Sequence, residues 1–443
     1  MVMRHIKRGK DEVFSILKTI RERKFEGNRG LVIKNGIYQF STSIVAKIGS
    51  ILFTIIIARM LMPELFGLYS LALSTIVLFS SFSDLGIGQT FVMFLSRELG
   101  KKKGNALGYY KYLLRMKVLL TIVVSSLLAI SAYFIANYYY HKPIFFALLA
   151  GAIYIISVGL LGFFSLVFQA DNEFKPGLIK EAIFQVLRLI FVPIAILFAM
   201  KYSDEITLLW VFISLSLAYL LSWVYLYLKR PYYKGHSLTN VQRKAVNSSV
   251  VLLTATILSG VFFGYIDSII LGRYVQSQYI GFYQAAMALV GSTGALIGFG
   301  GVLFPIFSRL KGDQLKRGLK KSIKITFVAS LITVVIALLL ANFVILLVYG
   351  QAYILSANLL KLLLLLVLID PLIGMYSVFH ISQGRQKFVA KWIVFATFLN
   401  IILNILFIKF LLQYSDYAAT FGAGLATIIS RGIYLGILSW KKN

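Results

Sequence analysis

Twelve long stretches of mostly apolar residues follow one another along this 443-residue chain, separated by short polar segments. A helix needs about 20 such residues to cross the hydrocarbon core of a bilayer. Only 14% of the residues are charged, against about a quarter in soluble domains. The pattern predicts an all-α integral membrane protein and argues against a disordered chain, a coiled coil or a soluble enzyme. The predicted spans are 37–58, 68–88, 116–137, 144–168, 178–199, 206–228, 246–272, 279–305, 322–348, 357–380, 388–408 and 417–439.

Lysine and arginine residues are divided unevenly between the two sides of these spans. Of the 45, 35 lie in the terminal segments and in the loops after even-numbered spans, whereas five lie in the opposite loops. Basic residues favour the cytoplasmic side of a membrane. We therefore predict a multi-pass protein of the cytoplasmic, or inner, membrane with both termini in the cytoplasm. The same distribution accounts for the net charge of +29, so we predict no nucleic-acid partner.

A motif in the first half of the chain returns in the second half. The two copies lie 214 residues apart, and they are Arg59, Gly67 and Tyr69 in one and Arg273, Gly281 and Tyr283 in the other. Both copies follow an odd-numbered span, so the two halves should be parallel repeats with the substrate between them. We expect the arginines to anchor helix ends at the outer surface.

The repeat and the polar segments divide the chain into four parts. They are a basic N-terminal segment at 1–36, a six-helix bundle at 37–228, a cytoplasmic connector at 229–245 and a second six-helix bundle at 246–443. Within the first part, apolar side chains between Val13 and Ile20 lie among basic ones. This pattern is typical of an amphipathic helix on an anionic leaflet, and equally of a solvated basic tail.

Several segments resemble the Wzx-type polysaccharide or oligosaccharide flippases. They are Lys34-Asn35, ARMLMPELFGLYSLALS, FSDLGIG and YIDSIILGRYVQSQYIGFYQAA, and the resemblance extends from about Leu31 to the end of the chain. It implies the fold shared with MATE transporters, in which two six-helix bundles surround a cavity that opens to one side at a time. It also implies a lipid-linked oligosaccharide as the substrate, moved outward for polysaccharide assembly beside polymerases or glycosyltransferases.

Three cations within the spans are candidates for contact with an anionic substrate. A charged side chain at bilayer depth is costly and usually faces a cavity or a partner. Lys47 lies in the middle of span 1, and the planar guanidinium of Arg188 in span 5 suits phosphate. Arg431 in span 12 is a weaker candidate. Glu181 lies on the same face of span 5 as Arg188, so a local ion pair is the alternative for both.

Three aspartates are candidates for ion coupling or gating. Asp370 and Pro371 are expected to break span 10 near its centre, where the carboxylate either binds Na⁺ or H⁺ or pairs with a neighbouring cation. Asp84 lies toward the cytoplasmic end of span 2 and Asp267 in the outer third of span 7. For these two, a gate or a contact between the bundles is the favoured interpretation.

The chain offers little for cofactor or metal chemistry. It has no cysteine, its four histidines are scattered, and it lacks a P-loop, so we predict no cofactor, no metal site and no direct use of ATP. The short outer loops leave no room for a catalytic domain, which argues against a polysaccharide polymerase or ligase. An ion-coupled drug or metabolite antiporter of the same superfamily remains the alternative to a flippase.

Overall fold

The structure, a computed structural model, describes residues 27–101, 104–297, 307 and 312–440, and all regular elements in this part of the chain are helical. Ten of the described helices are long and apolar enough to cross a membrane. The predicted all-α membrane class is therefore confirmed, while the number of twelve spans and the position of the termini stay predictions. The described α-helices are α1 (Gly27–Phe82), α2 (Ile87–Leu99), α3 (Ala106–Tyr133), α4 (Phe145–Ala170), α5 (Lys175–Ala199), α6 (Asp204–Lys229), α7 (Asn240–Tyr274), α8 (Ser277–Ile297), α9 (Gly312–Val348), α10 (Ser356–Leu363), α11 (Leu365–Ser382), α12 (Gln386–Leu412) and α13 (Asp416–Trp440).

Helix α1 contains the first predicted span and most of the second, and the two are separated by a break at Met62. The backbone there leaves the helical conformation, with φ at 58° and ψ at 169°. Pro63 follows at the first position of the next segment, where an N–H group would have no helical partner to lose. The chain turns again at Leu85 and Gly86, which both have positive φ. The FSDLGIG segment thus ends α1 and begins α2.

The predicted break in span 10 does not form. Helix α11 continues through Pro371, and at Leu364, between α10 and α11, the backbone keeps helical torsion angles. The expectation that Asp370 and Pro371 break the span is therefore wrong. Pro371 is buried, and a proline removes only one backbone hydrogen bond, a loss that packing against neighbouring helices offsets here.

The largest buried cluster joins helices from both halves of the chain. It includes Ile57 and Leu71 of α1, Phe212 of α6 and Leu271 of α7, all fully enclosed. Helix α9, by contrast, leaves long apolar side chains uncovered, among them Leu339 at 81% exposure. In a chain that spans the membrane, such side chains face lipid. The predicted N-terminal amphipathic segment between Val13 and Ile20 lies outside the described residues.

The segment between α6 and α7 is docked on the first half of the chain through Asn105. The side-chain oxygen of Asn105 accepts a hydrogen bond from the backbone N–H of His236 at 2.8 Å and from that of Gly108 at 3.3 Å. The second bond caps α3. The loop before Asn105 is held by Glu98, whose carboxylate accepts from the Asn105 backbone N–H at 2.8 Å. A hydrogen bond from Lys101 is the main cause that lowers the pKa of Glu98.

Replacing Asn105 with alanine should therefore destabilise the fold. The change removes a cap and leaves the N–H of His236 without its acceptor, which together should cost about 1–3 kcal/mol. Thermal unfolding in detergent measures the effect, with Asn240→Ala at the exposed start of α7 as the matched control. An Asn105→Ala protein that melts with the wild type would contradict the role of this residue.

Candidate functional site

The repeated glycines lie against each other's segments. A Cβ atom on Gly67 would be 1.8 Å from the carbonyl oxygen of Ser277, and one on Gly281 would be 2.0 Å from the carbonyl oxygen of Pro63. Neither position has room for a side chain. The relation is reciprocal, as expected of two elements related by a twofold axis. We refer to Pro63, Gly67, Ser277 and Gly281 as the glycine contact.

Two tyrosines beside the glycine contact extend the internal correspondence. Tyr353 donates a hydrogen bond to the carbonyl oxygen of Ala58 at 2.7 Å. Tyr140 lies against Gly272, where a Cβ atom would be 2.9 Å from the tyrosine ring. Ala58 and Gly272 are again 214 residues apart in the sequence. This pair was not predicted, because only contacts with α1 and α7 reveal it.

Two basic residues, Arg59 and Lys142, donate hydrogen bonds to carbonyl groups at helix ends. Arg59 donates to the backbone carbonyl oxygens of Leu347 and Val348, the latter at 2.7 Å. Lys142 donates to that of Val275 at 2.9 Å. Because carbonyl groups at the end of a helix lack helical partners, these bonds satisfy them. They agree with the expectation that Arg59 anchors a helix end.

Lys47 borders a cavity between α1 and α8. The cavity has a volume of about 380 Å³, and its walls include Lys47, Ser50 and Thr54 on one side and Gly291 and Ser292 on the other. The Lys47 side chain is exposed. The cavity therefore combines a cation with three hydroxyl groups, between a helix of the first half and a helix of the second. We refer to it as the interhalf cavity.

Arg188 of α5 contacts Ser50, a residue that lines the interhalf cavity. It is 8% exposed, and its Nη2 atom donates to the hydroxyl oxygen of Ser50 at 3.0 Å. Its guanidinium carbon lies 4.4 Å from the ring centre of Phe53 and 5.0 Å from that of Phe184. The Nε atom is buried without a hydrogen-bond partner among the described residues. Ser50 thus connects Arg188 to the cavity that Lys47 borders.

The alternative of a direct Arg188–Glu181 ion pair is wrong. The Glu181 carboxylate accepts from the Gln185 amide at 2.6 Å and from Lys180 Nζ at 3.0 Å. Among the described residues Arg188 has no carboxylate within ion-pair distance. Lys180 therefore balances the charge of Glu181, and the sequence did not reveal this because Lys180 lies at the predicted loop boundary.

Arg431 and Asp370 form an ion pair between α13 and α11. Arg431 Nη1 donates to the Asp370 carboxylate, and Nη2 reaches the carbonyl oxygen of Phe263 at 3.4 Å. The Asp370 side chain keeps 37% exposure and that of Arg431 13%. Pairing with a neighbouring cation is thus the observed state of Asp370. Arg431 has an internal counter-ion, which sets it apart from Arg188.

Asp267 is enclosed by hydrogen-bond donors from three helices. It is 4% exposed and accepts from Tyr283 at 2.7 Å, from the Asn404 amide at 2.8 Å and from Thr427 at 2.6 Å. The side-chain oxygens of Asn404 and Asn400 are buried without partners among the described residues. A carboxylate thus lies in a pocket of oxygen atoms, some of which retain free lone pairs. We refer to these five residues as the Asp267 cluster.

Asp84 is paired with a lysine that the sequence analysis did not single out. Lys117 of α3 is 6% exposed, and its Nζ lies 3.3 Å from the Asp84 carboxylate and 3.0 Å from the carbonyl oxygen of Ser83. Both residues belong to the first half of the chain. A buried lysine needs such a partner. The position of Lys117 inside a predicted span was therefore the signal that could have identified this residue.

A second cavity has no charged residue in its lining. It measures about 690 Å³ and lies between α5 and α6, lined by apolar and aromatic side chains and by Ser214. Half of the ten lining residues, among them Ile194 and Phe198, are exposed. None of the charged candidates lines this groove, whereas Lys47 lines the interhalf cavity.

The family with the description polysaccharide biosynthesis protein matches residues 32–311. The chain belongs to this family. No protein with a curated description matches the sequence. The chain is similar to a solved structure of the lipid II flippase MurJ in an inward closed conformation, with a TM-score of 0.70 and 16% identity over 90% of this chain and 86% of that one.

Two further structures show the same fold. A multidrug resistance MATE family transporter of the MOP superfamily, in an inward-facing conformation, has a TM-score of 0.66 and 12% identity over 91% of this chain and 99% of that one. A eukaryotic MATE transporter has a TM-score of 0.60 and 16% identity over 93% and 97%. The chain therefore has the fold that MurJ and the MATE transporters share, as the resemblance implied.

Proposed function

We propose that the protein is a Wzx-type flippase that moves a polyprenyl-(pyro)phosphate-linked oligosaccharide from the cytoplasmic to the outer leaflet of the cell membrane. The observation that carries the proposal is that Lys47 lines the interhalf cavity and that Arg188 donates a hydrogen bond to Ser50 in its wall. Among the described residues, the buried Nε donor of Arg188 has no hydrogen-bond partner and no carboxylate forms an ion pair with this arginine. Guanidinium and ammonium groups bind phosphate oxygens through charge-assisted hydrogen bonds. Family membership and the fold likeness to a lipid II flippase support it.

The interhalf cavity would take the polar part of this substrate while its lipid tail stays in the bilayer. A polar group left unsatisfied in hydrocarbon costs several kcal/mol. Lys47 and Arg188 would replace the water around the phosphate groups, and the hydroxyls of Ser50, Thr54 and Ser292 would hydrogen-bond the sugars. The glycine contact would close the predicted outer end during loading, and its separation would release the substrate outward.

The membrane potential would favour this direction of transport. Outward movement of a negative charge from a negative interior is favourable by about 2.3 kcal/mol per charge per 100 mV. We propose that Na⁺ or H⁺ entering the cell adds to it through the Asp267 cluster, whose oxygen ligands suit a hard cation. The Asp370–Arg431 pair, in which the aspartate is the more exposed partner, is the second candidate for coupling. Polysaccharide polymerases or glycosyltransferases are the proposed partners.

Replacing Asp267 with asparagine should uncouple transport from the ion gradient. The change preserves the size of the side chain but removes the charge that a Na⁺ ion or a proton would neutralise. Flipping in proteoliposomes should lose its stimulation by an imposed Na⁺ or pH gradient while exchange without a gradient continues. The comparison variant is Asp370→Asn, and a gradient dependence that only Asp370→Asn abolishes would move the coupling site to that pair.

A binding experiment tests the anionic substrate directly. The purified protein should bind a short-chain polyprenyl-pyrophosphate oligosaccharide at least about tenfold more tightly than the same lipid without phosphate, since two cations face it. Arg188→Gln should remove most of this preference. Equal binding of both lipids, or tighter binding of a lipophilic cation, would contradict the proposal and favour the drug antiporter.

A further inference from the structure

A second basic site lies where the connector meets α3 and α7. A cavity of about 250 Å³ is bounded by Lys111, Tyr112 and Arg115 of α3, by Arg243 of α7 and by connector residues 235–238. We refer to it as the connector pocket. It lies on the predicted cytoplasmic surface, at the start of α7, whereas the glycine contact lies beyond the other end of this helix. Its lining includes three cations and no carboxylate.

The three cations of the connector pocket lack acidic partners in the described chain. Lys111, Arg115 and Arg243 are exposed, and none forms an ion pair with a described aspartate or glutamate. Lys111 and Arg115 are one helical turn apart and so share a face of α3. The guanidinium of Arg243 lies 5.8 Å from the ring centre of Tyr112. Three like charges around one cavity repel each other and attract an anion.

The walls of the connector pocket are held in place by hydrogen bonds that join the connector, α3 and α7. Asn105 fixes the connector at His236, and the backbone N–H of Leu107 donates to the carbonyl oxygen of Lys234 at 3.1 Å. Tyr112 donates to the side-chain oxygen of Asn247 of α7 at 2.9 Å. The pocket is thus preorganised, and it is built from the helices that precede and follow the connector.

The position of the pocket along α3 indicates a ligand at the membrane surface. Lys111 and Arg115 come just before the predicted span at 116–137, and Leu107 and Leu238 add apolar surface to the lining. Anionic phospholipids place their phosphate groups at the boundary between water and hydrocarbon, where they attract basic side chains. A free anion in the cytoplasm would not need the apolar part of the lining.

We propose that the connector pocket binds the phosphate group of an anionic phospholipid from the inner leaflet. The lipid would join Lys111 and Arg115 before the connector to Arg243 after it, and so stabilise the relative position of α3 and α7. The proposal does not depend on the transported substrate.

Native mass spectrometry of the full-length protein in micelles with phosphatidylglycerol tests this site. The variant is Arg115→Gln combined with Arg243→Gln. The matched control is Lys175→Gln combined with Lys244→Gln, which removes the same charge from exposed residues outside the pocket. The pocket variant should bind the first lipid molecule roughly tenfold or more weakly than the wild type, whereas the control should not, because each basic residue near an anionic headgroup contributes about a factor of five.

Two further arms separate the possible ligands. Phosphatidylcholine should bind the wild type and the pocket variant alike, and inorganic phosphate at the same concentration should not displace phosphatidylglycerol. Equal losses in the pocket variant and the control would overturn the proposal, since charge alone would then explain binding. Full displacement by inorganic phosphate would overturn the lipid assignment. Thermal unfolding of both double variants confirms that they fold.

Discussion

A protein with alanine at position 281 should transport at least about tenfold more slowly than the wild type, because the glycine contact can no longer close. The added Cβ atom would lie 2.0 Å from the carbonyl oxygen of Pro63, which belongs to a backbone and cannot rotate away. Overpacking of this kind costs about 1–3 kcal/mol. Gly67→Ala, whose Cβ atom would lie 1.8 Å from the carbonyl oxygen of Ser277, should have the same effect.

The state of the contact can be measured separately from transport. The chain has no cysteine, so Ser277→Cys introduces a single thiol at the contact. A membrane-impermeant maleimide added from outside should label it faster when Gly67 carries the alanine. The matched control is Gly264→Ala in α7, where an added Cβ atom meets nothing within 4 Å. Labelling and transport unchanged by Gly67→Ala and Gly281→Ala would show that the contact does not limit the cycle.

Replacing Arg188 with glutamine should produce the second large effect, a loss of flipping of about tenfold or more. Removing one partner of a buried charge-assisted interaction costs about 2–5 kcal/mol. Arg188→Lys should retain part of the rate, since it keeps the charge but loses the planar pair of donors. Lys47→Gln should have a smaller effect, because the Lys47 side chain is exposed.

A comparison among cations within the spans makes this prediction specific. Lys361→Gln, in α10 and away from the interhalf cavity, removes the same charge and should leave flipping within about twofold of the wild type. Thermal unfolding separates lost transport from lost folding. If Arg188→Gln folds and flips at the wild-type rate, Arg188 does not contact the substrate.

The sequence predicted the class of the fold because apolar composition and loop charge report the environment of each helix separately. It also found Gly67 and Gly281 as equivalent positions. It did not predict that they contact each other's segments, since repeated motifs give equivalence and not distance.

The partners of the charged residues were the least predictable part of the site. Asp370 and Arg431 are 61 residues apart in sequence and meet only because α11 packs against α13. Ser50, which connects Arg188 to the interhalf cavity, is an ordinary serine in the sequence. Their charge and their depth in the predicted spans identified Arg188 and Asp267 as residues that need a hydrogen-bond partner or a counter-ion. Helix packing decides which group supplies it.

The most direct test of the account is transport by the wild-type protein in proteoliposomes. A fluorescent polyprenyl-pyrophosphate oligosaccharide is placed on one leaflet, and its arrival on the other is followed by cleavage with an external glycosidase. The account predicts that the protein accelerates this arrival and that Arg188→Gln abolishes most of the acceleration. If folded wild-type protein leaves the lipid on its original leaflet but exchanges a lipophilic cation for Na⁺ or H⁺, the flippase proposal is wrong.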